Sequence, residues 1–155
     1  MNDRFFLDTN IFVYLFDDSA PNKRSVAEEL IRRGIGSGKG IVSYQVVQEF
    51  LNVASRKFPQ PLRGLEAEQF LITTFKPMWA IQSSLALSSS ALRLEQEFRF
   101  SWYDALIVAS ALEADCGILF SEDLQHGMKV EHMRIENPFI PFTKEEPAGG
   151  LRRFR

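Results

Sequence analysis

The chain of 155 residues contains one cysteine, Cys116, and two histidines, His126 and His132. A lone cysteine cannot form an internal disulfide, and with no recognisable signal segment it predicts a reducing, cytoplasmic compartment. So few thiol and imidazole groups leave no ligand set of the kind that zinc prefers. No apolar run approaches the roughly 20 residues that cross a bilayer, so we expect no contact with a membrane.

The chain also lacks a strong excess of charge of either sign. Its formal net charge of −2 excludes a protein that binds nucleic acid through overall positive charge, but it leaves a local basic groove open. Four cations early in the chain offer either a basic flank for RNA or a solvated helix face, and we favour the solvated face. They are Lys23, Arg24, Arg32 and Arg33.

What is present is the composition of an ordinary globular domain, with 45% apolar and 25% charged residues. The length suits one domain with a substantial core, and 14 phenylalanines predict that aromatic packing dominates that core. Because thiols and imidazoles are scarce, a bound metal would have to be held by carboxylates. That donor type suits Mg²⁺ or Mn²⁺.

Short apolar runs alternate with helical patterns along most of the chain. Strands are predicted at residues 4–7, 41–42, 79–81, 118–120 and 133–135. A first helix is predicted at 11–16, capped by Thr9 or Asn10, and a second runs from Pro21 to a stop among Gly34, Gly36, Gly38 and Gly40. A further helix is predicted over 64–75. Three others follow serine caps, at Ser43, at Ser83 or Ser84, and at Ser101. This order predicts an α/β fold in three layers, a parallel sheet of about five strands with helices on both faces. We expect a single domain over residues 1–142 and a flexible tail with a basic end over 143–155.

Two acids follow predicted strands. Asp8 ends the first strand, which makes it a helix N-cap or, at the carboxyl edge of an open sheet, a ligand-binding group. Asp123 follows the fourth strand at the same edge, where a turn-forming role is the alternative. The adjacent Glu122 is a second candidate ligand, but alternation places Asp123 with Ser121, so we favour Asp123.

Two further acids lie on predicted helices. Glu49 is on the polar face of the helix after the second strand, where a solvated side chain is the simplest interpretation. Asp104 lies in the first turn of the most apolar helix, where Ser101-x-x-Asp104 fits a capping box. Its neighbours bring the carboxylate close to the core, and buried acids need partners. If the four acids meet, divalent cations would offset their repulsion and could support phosphodiester hydrolysis.

Four segments that carry these acids resemble the acidic motifs of PIN-domain ribonucleases. They are residues 6–10 (Phe-Leu-Asp-Thr-Asn), 48–50 (Gln-Glu-Phe), 102–107 (Trp-Tyr-Asp-Ala-Leu-Ile) and 120–124 (Phe-Ser-Glu-Asp-Leu). Residues 136–139 (Glu-Asn-Pro-Phe) also resemble the end of that domain, so the likeness runs over about 4–142.

The resemblance implies Mg²⁺- or Mn²⁺-dependent cleavage of single-stranded RNA. It implies that Asp8, Glu49, Asp104 and Asp123 bind the metal, and that Asn10 and Ser121 support them by hydrogen bonds. A member of this size most resembles VapC-type toxins of toxin–antitoxin pairs, which implies a homodimer and an antitoxin protein as partner.

Three alternatives stay open. The first is the same nuclease fold used for RNA processing without an antitoxin, and the second is a non-catalytic α/β binding module. The third is a phosphatase of the haloacid dehalogenase type, which also begins with a strand that ends in Asp. That chemistry requires a second acid two residues later, where this chain has Asn10, and a downstream loop lysine that we do not find.

Overall fold

Six strands form one sheet in the computed structural model, which describes residues 3–142 and 144. They are β1 (Phe5–Leu7), β2 (Gly40–Ser43), β3 (Trp79–Ile81), β4 (Ile118–Phe120), β5 (Lys129–Val130) and β6 (Met133–Glu136). The α-helices of the described residues are α1 (Thr9–Val13), α2 (Pro21–Ser37), α3 (Tyr44–Arg56), α4 (Gly64–Phe70), α5 (Leu85–Phe98) and α6 (Trp102–Glu113). The predicted tail lies outside the described residues, apart from Lys144.

The strand order across the sheet is β3-β2-β1-β4-β6-β5, and every neighbouring pair is parallel except β5 with β6. This confirms the predicted α/β fold with a parallel sheet flanked by helices. The sixth strand was not predicted because β5 has only two residues and lies in a tight hairpin with β6. Glu131 takes a left-handed conformation in that turn, with φ of 55°.

Serine caps were predicted correctly. Ser43, Ser84 and Ser101 each accept a hydrogen bond from a backbone N–H in the first turn of α3, α5 and α6. The predicted start of the first helix was wrong, because α1 begins at Thr9 and Asp8 is its N-cap. The predicted helix over 64–75 is confirmed in outline, with α4 followed by a π-helical turn at Leu71–Phe75.

Of the four glycines at which α2 was predicted to stop, the first two lie inside the helix. The helix continues through Gly34 and Gly36 and ends at Gly38, which has a left-handed φ of 71°. Gly34 lies directly against Gly40 of β2, where a Cβ would come within 2.5 Å of the Gly34 Cα. The first glycine therefore serves close helix-to-strand packing.

The phenylalanines pack together as expected. Phe12, Phe50 and Phe75 are fully buried, with ring centroids 4.6 Å apart for Phe12–Phe75 and 5.3 Å for Phe50–Phe75. This cluster joins α1 to α3 and so fixes the two elements that carry Thr9 and Glu49. Within the described residues, we find no helix with the length and apolarity needed to cross a membrane.

Candidate active site

Asp8 lies at the carboxyl end of β1 and is completely buried. Its Oδ1 accepts a hydrogen bond of 2.7 Å from the Thr9 N–H, and its Oδ2 accepts one of 2.7 Å from the Ser121 hydroxyl. The register explains the second contact, because Leu7 pairs with Phe120 and the residues that follow the two strands therefore meet. Asp8 thus occupies the N-cap and also belongs to a polar network at the sheet edge.

Asp123 is tied to the same network by short polar side chains. Its N–H donates to the Ser121 hydroxyl at 3.1 Å, and its Oδ2 accepts from the Asn10 amide nitrogen at 3.2 Å. The Asn10 amide oxygen accepts from the Glu122 N–H at 3.4 Å. Ser121 therefore links Asp8 to Asp123, while Asn10 holds the loop that carries Asp123.

Glu122 belongs to a different group of side chains. Its Oε1 accepts a bond of 2.7 Å from the Tyr14 hydroxyl, and its Oε2 lies 2.8 Å from the Lys23 ammonium nitrogen. Lys23 also lies 5.1 Å from the centre of the Tyr14 ring and 5.9 Å from that of Phe139. With both oxygens in this cluster, Glu122 is less suited than Asp123 to bind a metal.

The interpretation of Lys23 as part of a solvated face or a basic flank was wrong. Lys23 is only 4% exposed, because Glu122, Tyr14 and Phe139 surround its side chain. The other three cations of α2 differ. Arg24 and Arg32 are solvated and pair with nearby acids, and Arg33 lies 5.1 Å from the Phe5 ring.

Glu49 is held on the side of Asp8 that faces α3. Its Oε1 accepts a hydrogen bond of 2.6 Å from the Thr9 hydroxyl, and its Oε2 accepts one of 3.2 Å from the Gln45 amide. The same Gln45 nitrogen donates to the Tyr103 carbonyl at 3.1 Å. Glu49 is therefore more than a solvated helix residue. Its partners Thr9 and Gln45 were not predicted from the sequence, although Thr9 lies within the motif at 6–10 and Gln45 lies three residues before the motif at 48–50.

Asp104 lies one residue after that carbonyl, in the first turn of α6, and is 8% exposed. Its N–H donates to the Ser101 hydroxyl at 3.3 Å, which is the serine half of the expected capping box. Its near-complete burial matches the position expected from its apolar neighbours.

Ser121, Thr9 and Asn10 contact the carboxylate or backbone of Asp8, Glu49 and Asp123. Within residues 3–142 and 144, no three histidine, cysteine, aspartate or glutamate side chains gather closely enough to form a ready metal cage. The donor chemistry nevertheless fits Mg²⁺ or Mn²⁺, since Mg²⁺ usually keeps several waters and uses one or two carboxylates together with substrate phosphates. Asp8 and Asp123, linked by Ser121, are the pair that best meets this requirement.

Asp8 and Asp123 follow β1 and β4 at the carboxyl edge of the sheet, which is where open α/β sheets bind their ligands. The family model for the PIN domain matches residues 5–127. The chain therefore belongs to the PIN-domain family. No curated protein matches the chain significantly.

Solved structures with a similar fold include three from bacteria. A chain of a toxin–antitoxin complex from Klebsiella pneumoniae is 19% identical, with a TM-score of 0.60 over 86% of this chain and 96% of that one. VapBC2 from Rickettsia felis, solved bound to a DNA fragment from their promoter, gives 19% identity, a TM-score of 0.61, and coverage of 86% and 97%. VapC20 from Mycobacterium tuberculosis, described as a sarcin–ricin loop cleaving toxin, is 16% identical. Its TM-score is 0.55, over 77% of this chain and 91% of that one.

Proposed function

We propose that this protein is a divalent-metal-dependent endoribonuclease that cleaves single-stranded RNA, and that it is the toxin of a toxin–antitoxin pair. The observation that carries the proposal is the hydrogen-bonded placement of Asp8 and Asp123 on either side of Ser121 in a PIN-domain chain. Asp8, Glu49, Asp104 and Asp123 would hold Mg²⁺ or Mn²⁺. When bound, such an ion lowers the pKa of a coordinated water and offsets charge at the leaving oxygen.

The chain's own residues prepare these carboxylates. Ser121 and the Thr9 N–H each engage one oxygen of Asp8, so its carboxylate is held in a single orientation. The Thr9 hydroxyl does the same for Glu49, and the Asn10 amide does so for Asp123. Fixed carboxylates lose little conformational entropy when a cation or an RNA phosphate arrives, which is how preorganised sites gain affinity.

The proposed toxin function is supported by the solved structures that share this fold. All three similar structures come from toxin–antitoxin systems or are named as toxins, and one of them is named for cleaving the sarcin–ricin loop. By analogy, we propose a cognate antitoxin protein, a homodimer and a location in the cytoplasm. The target RNA stays open, because specificity in such enzymes lies in groove shape and loops.

The role of Asn10 argues against the phosphatase alternative. The Asn10 amide donates to Asp123 and accepts from the Glu122 N–H, which is a bracing role. A processing nuclease without an antitoxin and a non-catalytic binding module are then the competing functions, and both are separable by experiment.

The decisive experiment compares purified wild-type protein with Asp8→Asn and Asp104→Asn. We expect Mg²⁺-dependent cleavage of single-stranded RNA by the wild type and loss of cleavage in both variants, with the fold retained by circular dichroism. Asp18→Asn is the matched control, because the Asp18 side chain is 89% exposed and pairs only with surface Arg24 among the contacts described. Unchanged cleavage in both site variants would refute the catalytic assignment.

A growth assay separates the toxin from a processing enzyme. Induced expression of the wild type should arrest bacterial growth, whereas Asp8→Asn should not. Cleavage in vitro without growth arrest would favour the processing nuclease, and absence of both Mn²⁺ binding and cleavage would favour the binding module.

A further inference from the structure

A cleft of about 330 Å³ adjoins the candidate active site, and Glu49 is the one candidate acid in its described lining. It opens between α3, the end of β3, α5 and α6, and its lining includes Glu49 and the Gln45 side chain that holds Glu49. Because the cleft and the acid network share Glu49, a ligand in the cleft would lie beside a phosphodiester bound at the acids.

Three aromatic side chains line this cleft. Tyr44 and Tyr103 are 43% and 56% exposed, and Trp102 is half-buried. Exposed apolar side chains scattered singly are common, but aromatic rings grouped along one groove are typical of a binding surface. Two exposed tyrosines on facing helices, α3 and α6, therefore mark the cleft as a surface prepared for a flat ligand.

The polar lining is almost free of charge. Of the described residues around the cleft, Glu49 alone carries a charge, and the others that are polar are serine, tyrosine, tryptophan and glutamine side chains. A phosphate group would find no Lys or Arg there, and an acidic peptide would meet Glu49. An uncharged heteroaromatic ring with hydrogen-bonding edges fits this chemistry best.

Gln45 adds an unmatched acceptor to the cleft. Its nitrogen donates to two acceptors, Glu49 and the Tyr103 carbonyl, so the orientation of its amide is fixed by the network. The remaining atom, Oε1, is buried and has no hydrogen-bond partner among the described residues. A buried acceptor without a donor is unfavourable, so a small opening of the cleft that admitted a base N–H would relieve it.

We propose that this cleft stacks one unpaired RNA base, next to the phosphodiester at the acids, on the rings of Tyr103 and Tyr44. The proposal rests on the proposed RNA-cleaving function and specifies how the RNA substrate is bound. Proteins that bind single-stranded RNA commonly stack splayed bases on aromatic side chains. This base, and not the carboxylates, would then contribute to the choice of cleavage position.

Binding is tested in the Asp8→Asn protein so that the RNA survives. A fluorescein-labelled single-stranded RNA is titrated with Mg²⁺ present, and Tyr103→Ala is compared with Tyr103→Phe, which keeps the ring. We expect Tyr103→Ala to weaken RNA affinity roughly 5- to 150-fold, the range for loss of one stacked base. Tyr103→Phe should bind like the parent, and so should Ile72→Ala, which removes an exposed apolar side chain outside the cleft.

A second measurement locates the base. RNAs with a single abasic nucleotide at successive positions should show one position whose loss weakens binding to the parent but not to Tyr103→Ala. Parent-like RNA affinity in both Tyr103→Ala and Tyr44→Ala would overturn the proposal. It would also be overturned if these two variants bound RNA normally but no longer self-associated, as measured by light scattering. The rings would then belong to a protein–protein interface.

The two proposals fail in different ways. If the wild type cleaves RNA and the tyrosine variants retain its KM, the stacking proposal falls while the nuclease stands. If the wild type cleaves no RNA but its RNA binding depends on Tyr103, the nuclease falls while the stacking cleft stands.

Discussion

The Lys23 ammonium nitrogen lies 2.8 Å from Oε2 of Glu122, although the two residues are 99 positions apart in the chain. Lys23 is almost fully buried, and the side chain of Glu122 is 24% exposed. This pair anchors the loop after β4 to helix α2. Because Asp123 follows Glu122 directly, the pair also sets where Asp123 can lie.

Replacing Lys23 with methionine should destabilise the fold. The change keeps the apolar stem against Phe139 but leaves the Glu122 carboxylate without its cation, and we expect a loss of about 2–3 kcal/mol in the free energy of unfolding. Urea titration measures this. The double variant Lys23→Met/Glu122→Gln should recover much of the loss, since no uncompensated charge remains.

The control for Lys23 is a surface pair of the same charge type. Lys39 contacts Asp3 at 3.0 Å, but the two side chains are 45% and 75% exposed. Lys39→Met should therefore leave stability close to that of the wild type. Equal effects of the two methionine substitutions would show that burial of Lys23 carries no energetic weight.

Replacing Ser121 with alanine should weaken metal binding more than stability. The hydroxyl donates to Asp8 Oδ2 and accepts from the Asp123 N–H, so its loss leaves the Asp8 carboxylate held by the Thr9 N–H alone among these bonds and loosens the backbone that positions Asp123. Groups that orient metal ligands typically change affinity about 10- to 100-fold when removed. Calorimetric titration with Mn²⁺ measures this without any cleavage, and Ser55→Ala, at an exposed serine bonded to the Asn52 carbonyl, is the control. Unchanged Mn²⁺ affinity in Ser121→Ala would contradict the role given to Ser121.

Burial raises the pKa of the Cys116 thiol to about 12 from an ordinary 9.0, and the nearby Asp115 adds to the rise while Arg4 opposes it. Above pH 9 the unfolded chain loses the thiol proton while the folded protein keeps it. Stability should therefore be full below pH 9 and fall as pH rises towards 12, with a limiting slope of about 1.4 kcal/mol per pH unit.

Urea unfolding at several alkaline pH values tests the cysteine directly. Cys116→Ala removes the titrating group, so the difference in stability between wild type and variant should shrink as pH rises through the unfolded pKa. A difference that stays constant with pH would mean that the thiol ionises freely in the fold. Slow alkylation of the native thiol by iodoacetamide is the accompanying expectation.

Whether the sequence predicts a contact depends on how far apart the two residues lie along the chain. Asp8 and Asp123 were expected at one sheet edge because each follows a predicted strand, whereas the supporting role of Ser121 came from the resemblance to the family's motifs. The role of Lys23 was mistaken because its partner, Glu122, lies far along the chain and no local pattern reveals the pairing. Thr9 was missed for the same reason, since its contact with Glu49 joins α1 to α3, and so was the contact of Gln45 with the Tyr103 carbonyl. The contact of Gln45 with Glu49 is local, four residues apart in α3, and its spacing could have indicated it.

The close approach of α2 to β2 yields a prediction with a built-in control. A Cβ on Gly40 would lie 2.5 Å from the Cα of Gly34 and 3.0 Å from its carbonyl carbon, both backbone atoms that cannot rotate away. Gly40→Ala must therefore push the helix from the sheet, and we expect destabilisation of about 1–3 kcal/mol or more. Thermal unfolding followed by circular dichroism measures the change.

Gly36 lies in α2, two residues after Gly34, but it faces open space. Apart from its chain neighbours and the adjacent turns of its own helix backbone, no described atom comes within 4 Å of the position that an added methyl group would take, and the backbone there is not left-handed. Gly36→Ala should raise stability by about 0.5–1 kcal/mol, because alanine loses less backbone entropy in a helix than glycine does. The two substitutions are chemically identical and four residues apart, so opposite signs would isolate packing as the cause. A similar shift in both melting temperatures would show instead that α2 and β2 can separate without cost.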